Sequence, residues 1–256
     1  MLQVDALRSD TRELFLTLQE MGGFEDFVLI GGTAMALHYA HRESEDLDFV
    51  YVPTDPAADR SKLPQALINA LVQRLRGRGH PVLSLLDVSM MEEAENEGFY
   101  LPNSHQDWAI NGVKLTFFVG DTADRRRPFH TLDTVTNGGL RILTADAIFE
   151  TKSRLIVQRA TSRDLFDLWY FIDRAGKTVE EVVNFALQER PHYIEDYVLA
   201  RLQLAKPSVS DPLFKPIVKG APADYPSLIS ALRMIVDEYQ QRVALAVFHE
   251  EPTYRP

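Results

Sequence analysis

Residues 27–52 read FVLIGGTAMALHYAHRESEDLDFVYV, and no other stretch restricts the fold so tightly. Phe27-Val28-Leu29-Ile30 is a short apolar run suited to a strand buried on both faces. Gly31-Gly32 follows at once, where a backbone turns sharply or lets a ligand come close. Thr33 is placed to cap a helix carrying Ala34, Met35, Leu37 and His38. After the polar segment His41-Arg42-Glu43-Ser44-Glu45, a second strand opens as Asp46-Leu47-Asp48-Phe49-Val50-Tyr51-Val52. Side chains alternate along a strand, so Asp46 and Asp48 share one face while Leu47 and Phe49 take the other.

Two carboxylates side by side repel unless a cation lies between them. A divalent metal with oxygen ligands is the natural occupant. Magnesium suits the pair, because it takes one or two protein carboxylates and leaves its other positions to water and phosphate oxygens. The glycine turn supplies a complementary half. Backbone N–H groups at a helix start form a nest for anionic oxygens, assisted by the helix dipole. A phosphate nest formed by Gly31, Gly32 and Thr33, next to a metal-binding pair at Asp46 and Asp48, points to a nucleoside triphosphate site.

Gly-Gly-Thr, an apolar helix and then Asp-x-Asp resembles the signature of the DNA polymerase beta-like nucleotidyltransferase superfamily. The fuller string GGTAMALHYAHRESEDLDF is similar to the AbiEii toxin family of those enzymes, known from abortive-infection and type IV toxin–antitoxin systems. The resemblance implies an α/β (α+β) architecture: a nucleotidyltransferase-fold mixed sheet with flanking helices over residues 1–138, followed by an α-helical domain over 139–256. It also implies transfer of a nucleoside monophosphate from an NTP to an acceptor hydroxyl, with RNA as acceptor, at the 3′ end of tRNA. A separately encoded antitoxin would restrain the toxin.

The net charge of −10 argues against broad nucleic-acid binding, but leaves room for local basic surfaces at Arg74, Arg76 and Arg78 or at Arg125-Arg126-Arg127. Absence of cysteine excludes disulfides, thiolate zinc sites and cysteine nucleophiles. The seven histidines show no metal-ligand spacing, and His38 and His41 read as helix-surface or core residues. No segment reads as a signal peptide or a membrane span, so the expectation is a soluble, cytoplasmic protein.

Helical spacing over residues 5–21 gives a stripe of Leu7, Leu14, Phe15, Leu18 and Met21. A further helix is predicted over 62–76 with Leu67, Ala70, Leu71 and Leu75 inward. Extended segments are predicted at 82–90, 98–101, 107–110 and 113–118, with a solvated loop or edge at 91–97. Asn111-Gly112 is a two-residue hairpin turn. The superfamily's hydroxyl-extending members carry a third carboxylate on a strand matching Gly112-Val113-Lys114-Leu115-Thr116-Phe117-Phe118. Here Thr116 stands at that position, and threonine is no base at neutral pH. Asp121 lies just beyond it.

From about Gly138 the pattern turns helical. A helix from Thr144 to about Ala160 places Lys152 and Arg159 on the same face as Ile148, Leu155 and Ile156, at about 100° per residue. A cation in an apolar stripe needs an anionic partner. The next helix, with Ser162 as N-cap, puts Asp164 in the stripe of Leu168, Phe171 and Ile172, with Asp167 at its edge. One reading is a structural ion pair between Lys152 and Asp164. The other follows from resemblance to the later AbiEii motifs, in which such a lysine contacts nucleotide phosphate and such an aspartate assists catalysis. On that reading Lys152 and Arg159 neutralise phosphate charge, and Asp164 substitutes for the missing acid. Beyond lie helices at 178–189, opened by a Thr178…Glu181 capping box, at 192–204 and at 227–248, with a proline-rich loop at 206–226. Two other functions fit the same core: a small-molecule nucleotidyltransferase acting on aminoglycoside-like acceptors, and a catalytically inactive nucleotide-binding module.

Overall fold

A computed structural model describes residues 2–250 apart from 87–88, 90, 93–95, 97, 99, 122–125 and 212. The expected segments at 82–90, 91–97 and 98–101 and the arginine triplet therefore lie partly outside the described residues. Two compact units are present, Met1–Ile148 and Phe149–Pro256. Among the described residues no helix is long and apolar enough to cross a membrane.

The first unit is built on a seven-stranded mixed sheet. Its strands are β1 (Phe27–Ile30), β2 (Leu47–Tyr51), β3 (Val82–Ser84), β4 (His105–Ile110), β5 (Val113–Val119), β6 (Thr134–Asn137) and β7 (Leu140–Leu143). Their order is β3-β4-β5-β2-β1-β7-β6. The two central strands of the glycine–aspartate unit, β1 and β2, run antiparallel, while β2 is parallel to β5 and β1 to β7. The predicted hairpin joins β4 to β5, and Asn111 and Gly112 take the positive φ values, 52° and 83°, that this turn demands. Strands β6 and β7 fall after residue 133, where the sequence shows no long apolar alternation; Leu140–Leu143 pairs antiparallel with β6 and joins the sheet beside β1.

Helices α1 (Ser9–Met21), α2 (Gly31–Tyr39) and α3 (Gln65–Gly77) belong to this unit. In α3 the buried face is Ile68, Leu71, Val72 and Leu75 rather than the predicted Leu67 and Ala70, a rotation of one position; Ala70 is exposed. The expected extended segment at 98–101 gives way to a 3-10 turn at Leu101–Asn103. Arg74 donates to the carbonyls of Met21 and Gly22 at 3.1 and 3.0 Å, so this member of the predicted basic cluster fastens the end of α1.

An aromatic core fixes the register of β2. Phe24, Phe27, Phe49 and Phe117 are fully buried, with ring centroids 4.9–6.2 Å apart. Each such ring contributes about 1.5–3 kcal/mol on burial. A one-residue slip of β2 would exchange Phe49 for a carboxylate in that core, which the pairing therefore forbids. Leu47 and Phe49 face inward, and Asp46 and Asp48 keep the opposite, half-buried face.

The second unit is helical: α4 (Ala145–Leu155, which begins in the first unit), α5 (Ser162–Arg174), α6 (Val179–Glu189), α7 (Glu195–Leu204) and α8 (Tyr225–Glu250). Phe149 packs on Phe171 and Phe185 at 5.2 and 6.0 Å. The Thr178–Glu181 capping box opens α6 as predicted. Helix α5 is capped by Thr161, whose Oγ1 accepts from the Asp164 amide at 3.2 Å, not by Ser162. Ser162 is the first helical residue, buried, and its N–H and hydroxyl both donate to Asp211.

Candidate active site

Helix α2 begins directly at Gly31, with extended Ile30 before it and no capping side chain. The expectation for Thr33 is thus corrected: it sits in the first turn, too far along to cap. Its hydroxyl instead donates to the Asp46 carbonyl and shares a 2.8 Å hydrogen bond with Ser44 Oγ, tying the helix start to the residues entering β2. Gly31 has φ +75°, and a Cβ there would lie 3.1 Å from Asp48 Oδ2. At Gly32 a Cβ would meet Arg42 Nη2 at 2.6 Å and Ser44 Oγ at 3.1 Å. The two glycines are therefore close-approach positions, one for a carboxylate and one for a guanidinium.

Arg42 is almost fully buried, and its Nη1 donates to the Glu43 carbonyl at 3.0 Å. The sequence offers it only as one residue of a polar segment. Its guanidinium packs against the Gly32 position, a contact that no local pattern in the sequence signals. His41 is also fully buried, and His38 Nε2 lies 2.8 Å from the Leu143 carbonyl, consistent with structural roles.

Register carries the acidic face across the sheet. Asp48 pairs with Ile30 on β1 and with Thr116 on β5, and Thr116 pairs with Asp107 on β4. Thr116 does hold the position next to Asp48, and its hydroxyl donates to Asp107 Oδ1 at 2.8 Å. Asp107 also receives Lys114 Nζ at 2.8 Å and lies 3.1 Å from His105 Nε2. Burial alone would raise the Asp107 pKa, but the hydrogen bonds from His105, Lys114 and Thr116 outweigh it and hold this carboxyl well below the usual range. Asp121 is engaged elsewhere, by the Phe129 amide and by His130 Nδ1 at 2.6 Å.

Among the described residues no group of three or more acidic, histidine or cysteine side chains could enclose a metal ion. The Asp46–Asp48 pair still fits magnesium, which accepts two carboxylates and fills its remaining positions with water and phosphate oxygens. At position 31 a Cβ would lie 3.1 Å from Asp48 Oδ2, so glycine lets that carboxylate sit against the helix start.

In the second unit Lys152 is buried between two carboxylates, 2.8 Å from Asp164 and 2.7 Å from Asp167. Asp167 is fully buried, not at the edge of its stripe. Arg159 is well exposed and reaches Asp164 with Nε at 3.2 Å, and Thr161 donates to the same oxygen at 2.7 Å. Burial pushes the Asp164 pKa up; the charges of Lys152 and Arg159 and the hydrogen bonds from Lys152 and Thr161 reverse this and lower it. Lys152 and Arg159 thus converge on Asp164, with Asp167, which the sequence placed at the edge of the stripe, as a fourth member of the cluster.

Comparison with known proteins places these features in a family. The description "Nucleotidyl transferase AbiEii toxin, Type IV TA system" matches residues 14–245. An uncharacterized protein of Aquifex aeolicus is 27% identical over 177 residues, covering 69% of this chain and 72% of that one. MenT4, a nucleotidyltransferase toxin of Mycobacterium tuberculosis, aligns over 89% of this chain and 84% of its own at 16% identity and a TM-score of 0.46. JHP933 of Helicobacter pylori aligns over 98% and 100% at 14% identity and 0.41.

Proposed function

The chain belongs to the AbiEii family of nucleotidyltransferase toxins of type IV toxin–antitoxin systems, and from that premise we propose that it moves a nucleoside monophosphate from an NTP onto the 3′-terminal hydroxyl of tRNA in the cytoplasm. The observation that carries this reading is the 3.1 Å approach of Asp48 to the Gly31 position. It sets a carboxylate face against a helix start that has no capping side chain.

The N–H groups of Gly31, Gly32 and Thr33 cradle the triphosphate, where the helix dipole favours negative charge. Asp46 and Asp48 are the residues that would hold magnesium, which supplies charge neutralisation to the phosphates when bound. The acceptor oxygen bonds to the α-phosphorus as the bond from that phosphorus to the pyrophosphate oxygen breaks, and pyrophosphate leaves. The acceptor proton passes to a carboxylate, a role proposed for Asp164. Lys152 and Arg159 are proposed to offset charge on the phosphates in the transition state. A separately encoded antitoxin restrains the activity.

Incubation with α-labelled NTP, magnesium and total tRNA tests the proposal, with an aminoglycoside as competing acceptor. Label is expected at the tRNA 3′ end and reduced about 100-fold or more by Asp48→Asn. Label confined to the drug, or independent of Asp48, overturns it. Full transfer by an Asp164→Asn variant removes that residue from the mechanism.

A further inference from the structure

The face bearing Asp46 and Asp48 continues onto β5 with a cation. Leu47 pairs with Leu115 and Asp48 with Thr116, so one step back along these parallel strands brings Lys114 alongside Asp46. Alternation puts Lys114 and Thr116 on the same side of the sheet as the acidic pair. The glycine turn flanks that pair from β1, and Lys114 flanks it from β5, the opposite side.

The lysine is aimed rather than loose. Its Nζ lies 2.8 Å from Asp107 Oδ2, and Asp107 is itself fixed by Thr116 at 2.8 Å and His105 at 3.1 Å. Asp107 is 20% exposed, while the Lys114 side chain is 42% exposed, so the carboxylate is held behind and the ammonium stands toward solvent. An ammonium has three N–H donors, and Asp107 Oδ2 takes one of them. Desolvation works against the charge, but the Asp107 hydrogen bond and the charges of Asp107, Asp48 and Asp46 hold the Lys114 pKa above its ordinary value.

We propose that Lys114, aimed by Asp107, is a further substrate-binding residue whose ammonium contacts the phosphates of a bound nucleoside triphosphate from the side opposite the glycine turn. This rests on the reading of Asp46, Asp48 and the glycine turn as the NTP site. An exposed salt bridge alone adds little to stability, and a purely structural Lys114 would leave NTP affinity untouched.

The experiment measures magnesium-dependent binding of a fluorescent, non-hydrolysable NTP to the full chain, with thermal melting in parallel. Lys114→Met should weaken binding about ten- to a hundredfold, as loss of a charge-assisted hydrogen bond does. Lys114→Arg should restore most of the affinity, and Asp107→Asn should give a partial loss with Lys114 still present. Wild-type affinity in Lys114→Met overturns the proposal whatever its melting temperature, as does a loss that Lys114→Arg fails to restore. If Asp48→Asn weakens binding while Lys114→Met does not, only the role of Lys114 falls. If the wild-type chain binds no NTP, or Asp48→Asn leaves the magnesium dependence intact, the site itself is misread and the proposal falls with it.

Discussion

Gly31→Ala separates backbone strain from chemistry, because the fold supplies its own control. Gly31 and Gly112 have φ of +75° and +83°, so alanine pays a similar conformational penalty at each, about 1–2 kcal/mol. For a chain of this size 1 kcal/mol corresponds to about 2–4 °C in melting temperature, so each variant should lose roughly 2–8 °C. The surroundings differ. At Gly112 an added Cβ meets nothing within 4 Å, whereas at Gly31 it lies 3.1 Å from Asp48 Oδ2. That oxygen must retreat by a few tenths of an ångström from where it would meet the metal and the triphosphate. Because a misplacement of about 1 Å costs about 100-fold, a shift of this smaller size should cost about tenfold in kcat/KM. Steady-state transfer and thermal melting, run on both variants, decide the matter. Equal activity in the two alanine variants at equal stability would falsify the assignment of Asp48 to the reacting centre.

At Gly32 an added Cβ falls 2.6 Å from Arg42 Nη2, so Gly32→Ala should displace that buried guanidinium and lower NTP affinity at least tenfold; calorimetry with magnesium-NTP measures it. Lys152→Met strands Asp164 and Asp167 in the interior and should destabilise by about 3–5 kcal/mol, whereas adding Asp164→Asn and Asp167→Asn to it should recover much of that loss in denaturant unfolding. Asp211 accepts from the Ser162 amide and hydroxyl and from the Leu213 amide, and against the upward push of burial these bonds lower its pKa below 3.8. Its stabilisation is therefore complete above 3.8 and lost as pH falls through the lower native value; Asp211→Asn should flatten the stability profile on the acid side of 3.8 and leave its slope near neutrality unchanged.

Local pattern carried the centre of the first unit. The apolar run, the two glycines and the alternation of Asp46 and Asp48 with Leu47 and Phe49 are short-range signals, and each corresponds to an observed element. Long-range pairing carried what the pattern could not. The Asp107–Thr116–Asp48 row joins three strands, and neither Asp107 nor Lys114 has a spacing that announces it. The same holds for the place of β7 in the sheet, which joins the central strands through a partner more than a hundred positions away. The face of α3 was misread by one position because Ala70 and Leu67 satisfy a helical period as well as Ile68 and Val72; what decides is which side meets the sheet.

Charge within an apolar stripe was the one signal in the second unit that was both legible and ambiguous. Lys152 and Asp164 do meet, as the pattern required, yet the addition of Asp167 changes what the meeting implies. A single buried pair is nearly neutral, and its net contribution to stability is small. Two buried carboxylates share one lysine, and the exposed Arg159 reaches Asp164 as well. A helix pair needing only cohesion would bury hydrocarbon there at lower cost. Lys152 and Asp164 are therefore coupled, so Lys152→Met and Asp164→Asn should each destabilise the chain in denaturant unfolding while the double variant loses less than the sum of the two.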